Sequence, residues 1–307
     1  KNNSYGCVIS SAIDSYIYIV LKKHNKIFDE KYRLNYSITE NVKKISDIKN
    51  PIIRECVNYS NIQENLYISS IADAPSNSGL GSSSAFCVGL LNCLYKYKKQ
   101  KIKPSKLAEI AAKIEINILK KPIGKQDHYP AALGGFNYYK FLKNDRVISK
   151  KIDINNKEIN NIFDNLLTFW TGKTRDAEKV LKEQNKNYKK NNNNLNEIKK
   201  ITDLTFLDYR KKNMNISLLG NAIHNSWILK KQLAKNISYP KINYLYNLAL
   251  KEGAYGGKIS GAGAGGFLNL IVPKKKQAKV INLMKKNGLI KYDLKYEKFG
   301  SRVLEIS

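Results

Sequence analysis

Pro75-Ser76-Asn77-Ser78-Gly79-Leu80-Gly81-Ser82-Ser83-Ser84-Ala85 decides how this chain of 307 residues reads. Before it, residues 66–71 form a short strand pattern; after it, Phe86, Leu90, Cys93, Leu94 and Tyr97 recur at helical spacing, with Gly89 allowing close packing on the same stripe. The stretch is therefore a strand-to-helix turn rich in glycine and serine. Glycines let a backbone approach a ligand and take positive φ, and the start of the following helix offers unpaired N–H groups to an anion. Serine hydroxyls add hydrogen bonds or reach a metal. The turn lacks the Gly-Lys-Ser/Thr ending of a Walker A loop.

Working outward, residues 8–21 alternate as one strand, with Ile13, Ile17, Ile19 and Leu21 on one face. A helix is predicted after Pro104, with Ser105 as its N-cap and Leu107, Ile110, Ala111 and Ile114 buried. Residues 134–153 read as strands around a polar turn at Asn144-Asp145, and the Asn-rich stretch 154–162 reads as a boundary between lobes. Beyond it come a buried strand at 166–170, a helical stretch from Asp176, a surface loop at 191–194 and helices near 216–233 and 241–250. A second glycine-rich turn, a strand at 267–272, a helix around 277–286 and terminal strands close the chain. Strands and helices mix without regular alternation, so the fold class is α+β, in two lobes spanning 1–160 and 161–307.

Composition narrows the function. Lys and Arg number 54 against 25 Asp and Glu, a net charge of +29 that on its face suggests an anionic partner. The excess is mostly lysine, scattered among abundant Asn and Ile, as a low-GC coding bias produces, and no nucleic-acid-binding module accompanies it. The expectation is no nucleic-acid partner, with a basic nucleic-acid-binding protein as the rival class. The longest apolar runs, 16–21 and 267–272, have strand length, and no charged-then-apolar leader follows Lys1, so neither a membrane span nor a targeting segment is expected. Cys7, Cys56, Cys87 and Cys93 form no CxxC pair and read as reduced, mostly buried thiols of a cytoplasmic protein. His24 and His224 read as structural.

Two further groups carry chemistry. Glu115 lies among Ala108, Ala111, Ala112 and Leu119, where a carboxylate is either aimed inward at a charge or an ordinary helix glutamate. Past it stands Gly124-Lys125-Gln126-Asp127-His128-Tyr129. Asp127 is a candidate base or the cap of an Asx-turn; Lys125 pairs with phosphate or with Asp127 itself. His128 reads as a surface or core histidine.

The PxxxGLGSS string, followed far downstream by Lys258-Ile259-Ser260-Gly261-Ala262-Gly263-Ala264-Gly265-Gly266, resembles the GHMP kinase superfamily. The resemblance implies a two-lobed α+β fold, with an N-terminal lobe of mixed strands and helices, and a C-terminal α/β sandwich-like lobe. It implies ATP and Mg²⁺ as cofactors, with Pro75, Ser78, Gly79, Leu80, Gly81, Ser82, Ser83 and Ser84 around the nucleotide's phosphates. By the same likeness Ser83 and Glu115 hold the metal, and Asp127 with Lys125 serve catalysis. Within the superfamily the chain is similar to heptose 7-phosphate kinases, through Gly124-Lys125-Gln126-Asp127, Thr171-Gly172 with Thr174-Arg175, Gln184, and Gly256-Gly257-Lys258. That likeness implies phosphorylation of the anomeric hydroxyl of D-glycero-D-manno-heptose 7-phosphate, with Thr171, Arg175, Gly261 and Gly263 on the substrate. A fucose- or galactose-type kinase is the alternative. Ala264 replaces the family's usual glycine, which is tolerable if its φ is negative. Nothing here matches the family's opening strand and Gly-Gly-Gly-Thr-Asp-like loop, so the chain is expected to begin after them.

Overall fold

A computed structural model describes residues 5–174, 177–187 and 190–305. By packing, the chain divides into two compact units, and they do not follow a single cut near 160. One unit comprises Ser15–Pro75, Gly81–Gly134 and Lys298–Ser307; the other comprises Lys1–Asp14, Ser76–Leu80 and Gly135–Glu297.

The first unit holds strands β2 (Ile17–Lys23), β3 (Tyr32–Asn35), β4 (Thr39–Val42) and β5 (Leu66–Ala72), with helices α1 (Pro51–Ser60), α2 (Ser82–Tyr97), α3 (Pro104–Ala112) and α4 (His128–Leu133). Its sheet runs β2-β5-β3-β4, with β5 antiparallel to β2 and parallel to β3. Helix α1 starts where it does because Asn50 accepts hydrogen bonds from the amides of Ile52 and Ile53 and Pro51 presets the first turn; Asn61, at φ 50°, ends it. Helix α2 buries Cys87, Val88, Leu90, Leu91 and Leu94 completely, and each such leucine contributes roughly 1.5–3 kcal/mol. The buried stripe is rotated from the expected one, for Phe86, Cys93 and Tyr97 are only half-buried. Gly89 does allow the close approach: a Cβ there would stand 3.1 Å from Cδ1 of Ile19 on β2. Ser105 is not the cap of α3; Lys103 occupies that place without a side-chain bond, and Pro104 starts the helix. The four core residues expected of this segment are all buried.

The second unit contains two antiparallel sheets. Strands β1 (Tyr5–Ser11), β6 (Phe136–Leu142) and β7 (Val147–Lys151) pair in that order. In the other sheet, β8 (Leu166–Trp170) and β10 (Phe267–Ile271) lie between the edge strands β11 (Ile290–Tyr292) and β9 (Gly256–Ile259). Helices α5 (Asn156–Asp164), α6 (Ala177–Lys186), α7 (Asn192–Arg210), α8 (Ile216–Lys231), α9 (Pro240–Lys251) and α10 (Lys274–Lys286) complete it. The larger core gathers Phe169, Trp227, Leu245, Tyr246, Leu268 and Met284. A polar knot ties α7 to the β1–β6 sheet: Asp203 accepts from the hydroxyls of Tyr5 (2.6 Å) and Tyr138 (2.5 Å) and from Lys199 (3.2 Å).

Three expectations are corrected here. Residues 8–21 are not one strand: β1 and β2 belong to different sheets. The break falls at residues 12–16, where Asp14 Oδ1 takes the amide of Lys295 at 2.6 Å. The Asn-rich stretch 154–162 contains most of α5, started by a capping box in which Asn155 and Glu158 exchange bonds with each other's amides. Asn191–Asn194 is the cap and first turn of α7, anchored by Asn191 Nδ2 donating to the Leu233 carbonyl at 2.6 Å. Asparagine is a helix starter as readily as a loop residue, and composition alone does not separate the two roles.

No helix among the described residues is long and apolar enough to cross a membrane. The cysteines are free; Cys56 and Cys87 lie with Sγ atoms 3.7 Å apart, and their mutual hydrogen bond and burial push the Cys87 thiol well up, which keeps it unreactive. His24 is buried against Glu30 (3.1 Å), and His224 Nδ1 meets the Tyr246 hydroxyl at 2.7 Å, so both are structural.

Candidate active site

Strand β5 delivers the chain to Pro75, and the turn passes through Asn77, Gly79 and Gly81, all at positive φ, into α2. Gly81 is the N-cap of α2, at φ 77°, and offers no side-chain cap. The first-turn amides of a helix of 16 residues are thus left for a partner outside the helix, the usual basis of anion binding. Ser78, within the turn, is fully buried and its Oγ has no hydrogen-bond partner.

The bare α-carbon of Gly81 faces Asp127. A Cβ there would lie 3.1 Å from Asp127 Cβ, 3.3 Å from its Cγ and 3.7 Å from its Oδ2. Asp127 is half-buried and is the N-cap residue of the short helix α4, with no side-chain cap hydrogen bond. Lys125 stands two residues earlier, also half-buried.

In the first turn of α2, Ser83 donates to Glu115 Oε1 at 2.5 Å. Glu115 sits in a π-helical turn, Lys113–Ile118, that continues α3; such turns re-aim a side chain out of the regular helical stripe and are frequent at functional sites. The carboxylate is completely buried, so the inward-facing reading of this residue holds. Lys121 Nζ lies 2.8 Å from Glu115 Oε1 and 3.1 Å from Ser83 Oγ, and His128 Nε2 lies 2.9 Å from Glu115 Oε2. Burial on its own would raise the Glu115 carboxyl; hydrogen bonding and charge from His128 and Lys121 outweigh it and hold the group down to about 2. An ionised carboxylate only accepts, so His128 donates through Nε2, and its buried Nδ1 has no hydrogen-bond partner.

His128 and Lys121 are the members of this cluster that sequence reasoning missed. His128 is a core histidine, as one reading had it, but its partner is Glu115. The signal was the buried carboxylate itself: it needs donors, and the segment returning after the π turn carries them.

The second glycine stretch is built from the other unit. Thr171 donates both its amide (3.0 Å) and its hydroxyl (2.8 Å) to the Gly266 carbonyl, so its hydroxyl is engaged within the motif. Gly261 has φ 60° and its carbonyl accepts from Lys230 Nζ. Gly263, at φ 97°, would bring a Cβ within 2.4 Å of the Ile237 carbonyl oxygen. Ala264 has φ 67°, positive rather than negative, and its backbone N–H donates a hydrogen bond to the Ile237 carbonyl at 2.7 Å, which holds it there. Arg175 lies outside the described residues.

Among the described residues no three His, Cys, Asp or Glu side chains converge as a metal cage. The Ser83 hydroxyl and Glu115 carboxylate instead present two hard oxygens, the donor set Mg²⁺ takes when phosphates and water complete its shell. The donor chemistry fits that ion, and the open amides of α2 fit a phosphate chain.

The family profile "GHMP kinases N terminal domain" matches residues 47–135, and "GHMP kinases C terminal" matches 210–288. The D-glycero-alpha-D-manno-heptose 7-phosphate kinase of Campylobacter jejuni is 28% identical over 305 residues, covering 96% of this chain and 90% of that protein. The galactokinase of Pyrococcus furiosus is 25% identical, covering 96% and 91%. In fold, the chain is similar to a D-glycero-D-manno-heptose 1-phosphate kinase from Bacteroides thetaiotaomicron, with a TM-score of 0.75 at 20% identity over 99% of this chain and 91% of that one.

Proposed function

The chain belongs to the GHMP kinases, and from that premise we propose that this ATP-dependent sugar kinase phosphorylates the anomeric hydroxyl of D-glycero-D-manno-heptose 7-phosphate. The observation that carries the reading is the convergence at the start of α2, where Gly81 meets the Asp127 carboxylate and Ser83 meets Glu115. A proton-accepting group and a hydroxyl–carboxylate pair flank a helix N-terminus, the set of parts phosphoryl transfer needs.

In this reading the turn 75–84 holds the triphosphate through backbone amides and serine hydroxyls. Asp127 takes the proton of the sugar hydroxyl as it attacks, and Lys125 offsets charge on the transferred group. Ser83 and Glu115 would hold Mg²⁺, which when bound neutralises charge on the phosphate oxygens. Arg175, Thr171, Gly261 and Gly263 keep their assignment to the substrate, with Arg175 the 7-phosphate clamp, since a guanidinium grips two oxygens at once. Holding that dianion far from the reacting hydroxyl orients the reacting centre. The product is the 1,7-bisphosphate, a precursor suited to nucleotide-activated heptose for surface polysaccharide, made in the cytoplasm where ATP is available.

The test is a substrate panel. Heptose 7-phosphate should be turned over far better than unphosphorylated heptose, galactose, fucose or mevalonate, and Arg175→Ala should impair the phosphorylated sugar more than any neutral one. A neutral sugar as the better substrate would remove the heptose-phosphate assignment and leave the sugar kinase standing.

A further inference from the structure

We propose that Lys121 is a resident counter-cation: in the metal-free chain its ammonium occupies the place between Ser83 and Glu115 that a divalent cation takes on loading. The inference rests on the reading of those two residues as metal ligands. Lys121 Nζ touches both of their oxygens, Ser83 Oγ at 3.1 Å and Glu115 Oε1 at 2.8 Å, and those two oxygens are 2.5 Å apart. Mg²⁺ binds oxygen at about 2.0–2.1 Å in an octahedral shell, so the same oxygen pair serves one cation at a time.

The burial of the partners says which one leaves. The Glu115 side chain is 0% exposed and that of Lys121 20% exposed. His128 is fully buried on the opposite oxygen, Oε2, at 2.9 Å. Lysine carries a compact charge on a flexible four-carbon stem with rotatable donors, and it can withdraw without unfolding anything. Its main chain stays in place, because the Lys121 amide donates to the Glu115 carbonyl at 3.0 Å. A tethered ammonium over a buried carboxylate also keeps that carboxylate from standing uncompensated before the metal arrives, a state that is costly in a protein interior. The exposed Ser83 belongs to the nucleotide turn, so Lys121 joins that turn to the carboxylate and releases both together. An anionic nucleotide then gives the displaced ammonium a new partner, which couples metal loading to nucleotide loading.

The experiment is Mn²⁺ binding followed by electron paramagnetic resonance on the whole chain, without nucleotide and with ADP, for the parent, Lys121→Met and Glu115→Gln. Lys121→Met should bind Mn²⁺ alone on the order of tenfold more tightly than the parent. Its benefit should shrink when ADP is present, and Glu115→Gln should weaken binding in both conditions. If Lys121→Met binds Mn²⁺ no better while Glu115→Gln still weakens it, the counter-cation role is overturned and the ligand assignment survives. If Glu115→Gln leaves Mn²⁺·ADP binding untouched, the ligand assignment fails and the inference fails with it. Lys121→Gln repeats the measurement with an uncharged polar side chain should the methionine variant not fold.

Discussion

A Cβ added at Gly81 would stand 3.1 Å from the Asp127 side chain, whereas one added at Gly266 would stand 1.9 Å from the carbonyl oxygen of Ser78. Both residues have positive φ, 77° and 86°, so both disfavour any side chain. What differs is the neighbour. The contact at Gly81 is merely tight and is relieved by a small shift of the Asp127 side chain, while the backbone carbonyl at Gly266 overlaps outright and in a close-packed interior cannot yield. The rest of the second motif repeats the second pattern: Gly263 stands over the Ile237 carbonyl and Gly257 over that of Asn269, at 2.4 and 2.2 Å from a would-be Cβ. Two stretches alike in composition therefore carry glycine for different reasons. In 75–84 it leaves room and open amides beside chemical groups; in 256–266 it lets backbones touch.

The comparison breaks most visibly at Asp127. Asp127→Asn should lower turnover by about 10²–10⁴, the usual worth of general-base assistance, while ATP binding measured by calorimetry is unchanged. Retention of more than about half the activity would remove Asp127 from the chemistry and leave the first stretch a phosphate loop without a base beside it.

Next in size is the pair Gly266→Ala and Gly81→Ala. The first should cost about 3 kcal/mol of stability, from a backbone clash added to an unfavourable φ. The second should cost only about 1 kcal/mol by thermal unfolding yet raise the KM for ATP strongly. Equal losses of stability would erase the distinction.

Glu115→Gln should raise the Mg²⁺ concentration for half-maximal activity, because a hard cation loses a charged oxygen; an unmoved titration would return Glu115 to a structural role. The same residue has a pH signature. Its folded carboxyl, near 2, lies below the ordinary 4.5, so its stabilisation is complete above about 4.5 and is lost as pH falls from there toward 2. The stability gap between parent and variant should close across that window in acid denaturation.

The smallest effect belongs to Ala264, which sits in the second stretch at φ 67° with a side chain that conformation disfavours. Ala264→Gly should relieve that strain and stabilise the protein by about 0.5–1 kcal/mol in thermal unfolding, net of the added freedom of the unfolded chain. A loss of stability would show that the Ala264 methyl, which packs at the edge of the larger core, matters more than its φ.

The α+β class, the strand–turn–helix around residues 75–85 and most helix positions were legible because each is a local pattern: a period of two or 3.6, a proline start, a glycine-rich turn. Misreadings fell where a local pattern has two tertiary outcomes. The alternation through 8–21 is the same whether β1 and β2 join one sheet or two, and Asn-rich stretches cap helices as readily as they make loops.

By itself the sequence singled out Gly81, Ser83, Glu115 and Asp127 as candidates, through a glycine- and serine-rich turn at a helix start, a carboxylate among small apolar residues, and the resemblance to GHMP kinases. Only the tertiary structure decided who meets whom. The π turn aimed Glu115 inward, and residues 119–128 returned Lys121 and His128 to its two oxygens. Ala264 likewise kept the left-handed conformation of a glycine it does not have, because its amide is held by Ile237. No period or spacing encodes such meetings; they follow from a buried charge that must be matched by whichever donors the folded chain brings within 3 Å.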